Sequence, residues 1–179
     1  MALYQSEYRK NVIKAYILGI VGSRSELVSC LEASRRTQFV KEAYLIYGAY
    51  DLICKVEVEK IEQINVVLDN LFQNGIVDSN TLIVNNSGLN LEKPETHSKR
   101  KSAYTFIKIR RPAAPKLWDK FLNSIDAVLE AHEVYGFYDV VVAVSEDARS
   151  DFFNSYFKKL WLLTDINLNS TTTTFTVDL

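Results

Sequence analysis

The chain has 179 residues, a formal net charge of −1 and 47% hydrophobic residues, which is enough apolar material for a packed core. A chain of this length forms one large domain or two small ones. The near-zero net charge argues against a general affinity for nucleic acid or for anionic membranes. No apolar run approaches the roughly 20 residues that span a bilayer. Because the first residues also lack the apolar run of a signal peptide, we expect a cytoplasmic protein.

The sequence contains few residues that suit a metal ion or a disulfide framework. Cys30 and Cys54 each lie in an apolar segment, and we interpret both as small core residues. His97 and His132 are the two histidines of the chain. With so few thiolate and imidazole ligands, we predict no metal site and no cofactor.

In the first half of the chain, hydrophobic patterning predicts the element order βαββαβ. A β-branched and aromatic run with both faces apolar is typical of a buried strand, and strict alternation marks a later one. Helical spacing follows in two places, and the second helix is stopped by Gly75. The predicted strands are residues 12–21, 39–47, 51–59 and 81–85, and the predicted helices begin at Ser23 and at Lys60.

The second half repeats this order at a fixed offset. The turn Tyr47-Gly48-Ala49-Tyr50-Asp51 recurs as Tyr135-Gly136-Phe137-Tyr138-Asp139, 88 positions later. Further identities at that offset are Ala15/Ala103, Tyr16/Tyr104, Val40/Val128, Glu42/Glu130, Ala43/Ala131 and Val56/Val144. The second copy predicts strands near 103–110, 127–135, 139–145 and 171–178, and helices near 114–124 and 147–160. Its last strand comes later than the offset requires, since Thr81 matches Thr174, and an insertion between 162 and 169 absorbs the difference.

This order predicts an α+β protein of two tandem ferredoxin-like βαββαβ units, each with an antiparallel sheet of strand order 4-1-3-2. The first unit is residues 1–85, a polar linker is residues 86–102, and the second unit is residues 103–179. Strand one is apolar on both faces, so neither face of its sheet meets water freely. We therefore expect the sheets to pack against each other, or each against a second chain.

These segments resemble a known family. The runs AYILGIV, VKEAYLIYGAYDLICKVEV and TLIV of the first unit are similar to the effector-binding (RAM) domain of the Lrp/AsnC family of transcriptional regulators. The runs VLEAHEVYGFYDVVVAVSE and TTTTFTV of the second unit resemble the same domain more loosely. The resemblance implies a sensor that binds an amino acid or a related metabolite between paired domains. It also implies a homo-oligomer, acting as a ligand-responsive regulator or co-regulator, and it leaves room for a protein partner.

The resemblance carries a ligand site over to the two turns and to a threonine of each last strand. These residues are Tyr47, Gly48, Tyr50, Asp51 and Thr81 in the first unit, and Tyr135, Gly136, Tyr138, Asp139 and Thr174 in the second. A glycine turn offers backbone N–H groups to a carboxylate, and an aspartate or tyrosine oxygen suits an ammonium group. The alternative is a structural turn, in which glycine supplies a positive φ and aspartate bonds to nearby amides.

Regulators of this family also carry an N-terminal helix-turn-helix, and only about a dozen residues precede strand one here. We therefore expect no direct binding of nucleic acid by this chain. The basic run from His97 to Lys101 is interpreted as a solvated part of the linker.

We predict a binding protein rather than an enzyme, with two alternatives left open. One is a dimeric α+β-barrel enzyme, either haem-binding or of the cofactor-free monooxygenase kind. Such an enzyme needs a histidine or a general base between the sheets. His132 is the only histidine on a predicted strand, and we interpret it as a surface or hydrogen-bonded residue. The other alternative is a structural oligomerisation module without a ligand.

Overall fold

The computed structural model describes residues 12–110, 115–162 and 168–177, without the side chains of residues 116 and 117. The start of the first predicted unit, the end of the second, the start of the helix predicted at 114 and most of the predicted insertion at 162–169 lie outside the described residues.

The first half of the chain folds in the predicted order. Its elements are β1 (Ile13–Val21), α1 (Leu27–Arg36), β2 (Val40–Tyr47), β3 (Leu52–Val58), α2 (Gln63–Gln73) and β4 (Ile76–Val84). The start of β4 differs from the prediction by five residues. Gly75, with φ of 106°, reverses the chain directly after α2. As a result β4 can pair with β1 along its whole length, from Val21 opposite Ile76 to Ala15 opposite Ile83.

The second half begins with a strand that was not predicted. Its elements are β5 (Asn90–Glu92), β6 (Lys101–Ile109), α3 (Asp119–Ser124), β7 (Val128–Tyr135), β8 (Val140–Ser145), α4 (Lys158–Trp161) and β9 (Leu168–Thr176). A 3-10 turn at Glu146–Asp151 and a π-helical turn at Phe153–Phe157 precede α4. The segment that we predicted as a linker thus contains β5 and the first two residues of β6. The domain boundaries themselves stay a prediction.

All strand pairs of the described residues are antiparallel, and together they close a ring, which we call the barrel. The strand order is β4-β1-β3-β2-β9-β6-β8-β7-β5, and β4 also pairs with β7. The first four strands have the predicted order 4-1-3-2, and β9-β6-β8-β7 repeats it. Each last strand therefore pairs with the second strand of the other unit, through Ile46 opposite Thr176 and Ile83 opposite Tyr135. The predicted fold class, α+β with two ferredoxin-like units and antiparallel sheets packed together, is confirmed.

Three apolar cores hold this arrangement together. Two of them lie between the helices and the outer face of each sheet, and Cys30 and Cys54 are buried in the first of these, as predicted. The third core lies inside the ring, where the two sheets face each other. Its fully enclosed members are Tyr16, Leu18, Ile46, Ile53, Leu82, Val84, Tyr104, Phe106, Val134, Val141 and Ala143. Burial of this much apolar surface is the main force that keeps the two sheets in contact.

The strand registers repeat at the same offset as the sequence. Tyr16 lies opposite Lys55 in the first unit, and Tyr104 lies opposite Ala143 in the second. Both residues of the second pair follow those of the first by 88 positions. Aromatic side chains also pack across the two units. The centroids of the Tyr16 and His132 rings are 6.0 Å apart, and those of the Tyr104 and Tyr44 rings are 6.2 Å apart. An origin by duplication stays a prediction. Among the described residues, none of the helices has the length and apolar character needed to span a bilayer.

Candidate functional site

The ten residues of the predicted ligand site lie where the two units meet, at the end of the barrel that contains the two turns. Each turn contacts the threonine of the other unit. The Thr174 hydroxyl donates to the carbonyl of Tyr47 at 2.7 Å, beside Gly48. In the second turn, Gly136 packs against the backbone carbonyl of Thr81. The structure therefore groups the ten residues as turn one with Thr174 and turn two with Thr81, which is not the grouping by unit that we predicted.

The two aspartates of the turns make the same backbone contacts in each unit. The Asp51 carboxylate accepts from Val21 N at 3.0 Å, and the Asp139 carboxylate accepts from Ile109 N at 2.9 Å. Their own amides donate to the carbonyls of Gly19 and Ile107. These bonds tie the start of the third strand to the end of the first strand in each unit.

The two glycines differ in backbone conformation. Gly136 has φ of 143°, and a Cβ there would lie 2.8 Å from Leu82 Cδ2. Gly48 has no positive φ, and a Cβ there would come no closer than 3.4 Å to Thr174 Oγ1. The structural explanation by positive φ thus holds for Gly136 and is wrong for Gly48.

The tyrosines of the turns point to different surroundings. Tyr47 and Tyr135 are 79% and 61% exposed. Tyr50 accepts from the Asn80 side chain at 3.3 Å, and Tyr138 stacks on Phe106 at the edge of the inner core. A ligand role for the ten residues stays a prediction.

Replacing Asp51 by alanine is expected to lower the free energy of unfolding by roughly 1.5–3 kcal/mol, because the Val21 amide then loses a charged acceptor. Asp139→Ala should cost a similar amount, since its contact with Ile109 has the same geometry. Urea denaturation of both variants measures the effect. Asp78→Ala is the matched control, because the exposed Asp78 accepts only from the amide of its neighbour Ser79. Equal stability of the parent and both turn variants would contradict a structural role.

At the opposite end of the barrel, charged side chains are buried between the two sheets. Lys55 Nζ of β3 lies 2.5 Å from the Glu130 carboxylate of β7 and 3.0 Å from the Glu92 carboxylate of β5. Lys14 of β1 binds the other oxygen of Glu92 at 2.8 Å. The Tyr16 hydroxyl donates to Glu130 at 3.1 Å. The two lysines and two glutamates neutralise one another, which is the condition for burying such groups. We call these five residues together with His132 the charged cluster.

His132 is fully buried in this cluster, and neither of its ring nitrogens makes a hydrogen bond. Its Nε2 lies 3.5 Å from Glu92 and 3.8 Å from Glu130. The interpretation of His132 as a surface residue is therefore wrong, and its nearest polar neighbours are these two carboxylates. Strand β7 places it on the inner face with Val134, because alternate side chains of a strand point to the same face. Strand β5 pairs with the open edge of β7 at this point, with Asn90 opposite His132.

The cluster shifts the acidity of its members. The His132 imidazole lowers the pKa of Glu92 well below its usual range. Lys14 and Lys55 act in the same direction, and burial acts against them. Burial works against the charge of Glu130, but His132 and Lys55 outweigh it and lower its pKa as well. Burial likewise opposes the charge of Lys55, and the two carboxylates overcome it and raise its pKa. Burial, then Glu130, raises the pKa of Tyr16. The four groups thus keep their usual charge states over a wide pH range.

A cavity of about 330 Å³ opens beside the charged cluster. It is lined by Lys41, Glu42, Tyr44, Lys55, Glu57, His97, Lys99 and Lys101. Lys101 is buried and binds Glu42 at 2.6 Å, and it also donates to the carbonyl of Thr96. Burial, followed by Glu42, raises the pKa of Tyr44 to about 12, so the phenol stays protonated. Four lysines and two glutamates line the cavity, and three of these lysines, Lys55, Lys99 and Lys101, also pair with carboxylates.

The cavity lies beside the counterparts of two cluster residues. Glu42 and Tyr44 precede Glu130 and His132 by 88 positions and occupy the same places in β2 that these occupy in β7. Strand β5 pairs with residues Glu130–His132 of β7 and brings the Glu92 carboxylate close to His132. In β2, the corresponding edge borders the cavity, and no strand among the described residues pairs with it. The two halves of this end of the barrel therefore differ by the Glu92 carboxylate and by the groups around it, since Ser102, Ala143 and Tyr44 stand at the counterparts of Lys14, Lys55 and His132.

Glu92, Glu130 and His132 also have the residue types of a metal site, with ligand atoms within 4.8 Å of one another. Lys14 and Lys55 already neutralise both carboxylates. A divalent ion would add two positive charges to a buried group that is balanced without it, which is strongly unfavourable. The arrangement fits a carboxylate-binding group better than a metal centre.

Sequence reasoning missed this cluster. Lys55 and Glu130 alternate with apolar residues, so their strands resemble ordinary half-exposed ones. The signal was present in the repeat, because Glu42 and Glu130 are among the identities at the 88-residue offset. An acidic residue retained in both copies on a face that we expected to pack against another sheet indicates a buried partner charge.

Comparison with known proteins adds information on the fold. No protein-family model matches the chain, and no curated protein matches it. Escherichia coli AsnC is similar over 46% of this chain and 52% of its own, with 30% identity and a TM-score of 0.37. Siroheme decarboxylase NirDL, solved with an iron-uroporphyrin III analogue, matches 93% of this chain and 72% of its own, with 9% identity and a TM-score of 0.62. A putative monooxygenase from Lactobacillus acidophilus matches 93% of both chains, with 9% identity and a TM-score of 0.55.

These matches correct one expectation. We predicted that the chain is not an enzyme, and that inference is wrong, because two solved structures that match 93% of the chain are a decarboxylase and a putative monooxygenase. At 9% identity the likeness concerns the fold alone. Thus about half of this chain is similar to AsnC. Nearly all of this chain shares its fold with the decarboxylase and the putative monooxygenase.

Proposed function

We propose that the chain binds a small carboxylate-bearing metabolite, of the amino-acid kind, in the cavity at the charged end of the barrel. Such binding would make it a ligand-responsive regulator or co-regulator, as the resemblance to the Lrp/AsnC effector domain implies. A cavity of about 330 Å³ is within the usual range for small-molecule sites.

One observation carries the proposal. The chain holds a carboxylate, Glu92, at the equivalent place beside Glu130 and His132, and it has a cavity beside their counterparts Glu42 and Tyr44. The lining around that cavity is rich in lysine, which pairs with carboxylate through charge-assisted hydrogen bonds. A ligand carboxylate would therefore meet lysine side chains, as the Glu92 carboxylate does, although most of these lysines stand at other positions of the repeat.

The lining also suits the other charge of an amino acid. Glu42 and Glu57 supply carboxylates for an ammonium group, while Lys41, Lys99 and Lys101 supply cations for a carboxylate. The phenol of Tyr44 adds a neutral donor. This mixture favours a zwitterion or a hydroxy acid over a simple hydrocarbon.

The two turns remain a second proposed contact region. They lie at the other end of the barrel, and none of the ten residues lines the cavity. Binding to Asp51→Ala and Asp139→Ala separates the two regions. Unchanged affinity in both variants assigns the ligand to the charged end alone.

The test is a thermal-shift screen of the whole chain against amino acids and small organic acids, followed by calorimetry. A ligand that binds the folded form raises the melting temperature. Lys41→Gln and Lys99→Gln should each weaken binding about ten- to hundredfold, the usual effect of one lost charge-assisted hydrogen bond. The control is Lys120→Gln, an exposed lysine on α3 that does not line the cavity. Equal affinity in all three variants would place the ligand elsewhere.

A second candidate is an enzyme that acts on such a ligand, and His132 favours it. Its Nε2 lies within 4 Å of two carboxylates, those of Glu92 and Glu130, which is a suitable setting for moving a proton. Following the bound ligand over hours by proton NMR distinguishes the two functions. Slow consumption that His132→Gln abolishes would identify an enzyme, and an unchanged spectrum would identify a sensor.

A further inference from the structure

The side chain of Glu92 is held as a ligand carboxylate would be. One of its oxygens contacts Lys55 at 3.0 Å and lies 3.5 Å from His132 Nε2, and the other contacts Lys14 at 2.8 Å. His132 is fully buried without a hydrogen bond of its own and directs Nε2 toward this carboxylate. The three basic groups come from β1, β3 and β7, whereas Glu92 comes from β5, at the edge of the sheet.

Glu92 is also the most accessible member of the group that Lys55 binds. Its side chain is 25% exposed, whereas those of Lys55 and Glu130 are almost completely buried. Strand β5 is held in place by its backbone pairs with β7 and by the buried Leu89 just before it. Neither contact depends on the position of the Glu92 carboxylate. Rotation of the side chain alone can therefore move its carboxylate to solvent.

Charge balance decides when that rotation is favourable. With Glu92 in place, two lysines and two glutamates neutralise one another. Moving Glu92 out by itself leaves Lys14 and Lys55 with only Glu130, which costs free energy because a buried charge loses its partner. A ligand carboxylate in the same position restores the balance. Lys55 both contacts Glu92 and lines the cavity, so this lysine links the two places.

We propose that Lys14, Lys55 and His132 form a carboxylate-binding site, that Glu92 is its intramolecular occupant, and that the carboxylate of an incoming small molecule displaces Glu92 from Lys55. The inference deepens the proposed function, because it places a competitor for the ligand within the chain. It predicts that removing the charge of Glu92 strengthens ligand binding, whereas removing the charge of a residue that contacts the ligand weakens it.

The experiment uses acetate as the probe, titrated into the whole chain at constant ionic strength against chloride and followed by NMR chemical shifts. Glu92→Gln should bind acetate about ten- to hundredfold more tightly than the parent, since the competing charged contacts are removed. Glu92→Asp keeps the charge but shortens the reach, and it should give an intermediate affinity. It also serves as the readout if Glu92→Gln folds poorly.

Adding Lys14→Met to Glu92→Gln should abolish the gain, because Lys14 contacts Glu92 and does not line the cavity. Equal or weaker acetate binding by Glu92→Gln would overturn the inference, as would equal responses to acetate and chloride. The two proposals fail separately. A metabolite that binds the parent and Glu92→Gln alike would keep the proposed function and refute the competitor. Tight acetate binding by Glu92→Gln, with no metabolite found for the parent, would support the competitor and refute the proposed function.

Discussion

Replacing Lys55 by methionine is expected to lower the free energy of unfolding by about 3–5 kcal/mol. The methionine fills a similar volume, but the fully buried Glu130 loses the cation 2.5 Å from its carboxylate. Glu92 keeps Lys14, so the cost falls mainly on Glu130. Removing one partner of a buried pair is far more harmful than removing both, because it leaves a charge without compensation. Urea denaturation with linear extrapolation measures the change.

The double variant Lys55→Met/Glu130→Gln should recover a large part of this loss, since the uncompensated charge is removed. Lys99→Met is the matched control. Lys99 also pairs with a carboxylate, that of Asp147 at 2.7 Å, but both side chains are exposed, and pairs of this kind often contribute nothing measurable. If Lys55→Met and Lys99→Met unfold alike, the pair between β3 and β7 does not hold the barrel together.

The stability of the protein should fall steeply in acid because of the same cluster. The pKa values of Glu92 and Glu130 are lowered in the folded state, so the folded chain binds fewer protons than the unfolded one. Their contribution is complete above about pH 5 and is lost as the pH falls through the lowered pKa values. For the buried Glu130 it is on the order of 3 kcal/mol. Denaturation in urea at pH values from 7 to 3 tests this.

The alkaline side has the opposite sign. The pKa values of Lys55 and Tyr16 are raised, so their contribution is present below about pH 10 and is lost as the pH rises further. Burial also raises the pKa of the Cys54 thiol, so its contribution begins to be lost above about pH 9, and we expect a plateau of stability between about pH 5 and pH 9. In Lys55→Met/Glu130→Gln the acid limb should become shallower. An acid limb that is equally steep in the parent and in the double variant would show that other carboxylates cause it.

Much of the fold was readable from the sequence because each strand and helix leaves a local pattern. The apolar period of two in β3, the helical spacing before Gly75 and the repeated Tyr-Gly-x-Tyr-Asp turn predicted the order of the elements and the strand order 4-1-3-2. The two apolar faces of β1 predicted that the sheets pack together. These inferences succeed because periodicity records which face of an element is buried.

Strand β5 shows where local patterns are insufficient. The three residues Asn90–Glu92 carry no strand signal and lie in a polar segment with a glycine and a proline nearby. They form a strand because β7 offers an open edge at Glu130–His132. The same pairing brings Glu92 to Lys55, a residue 37 positions earlier in the chain.

Local patterns were enough to predict the two ferredoxin-like units, their order and the apolar faces that join them, since these depend on residues close together in the chain. The charged end of the barrel could be recognised only once the strands were placed in three dimensions. Lys14, Lys55, Glu92, Glu130 and His132 come from four strands, and nothing in any one strand indicates that its charge is buried. The meeting of the sheets fixes their distances, and the low polarity of the interior then makes their pairing strong.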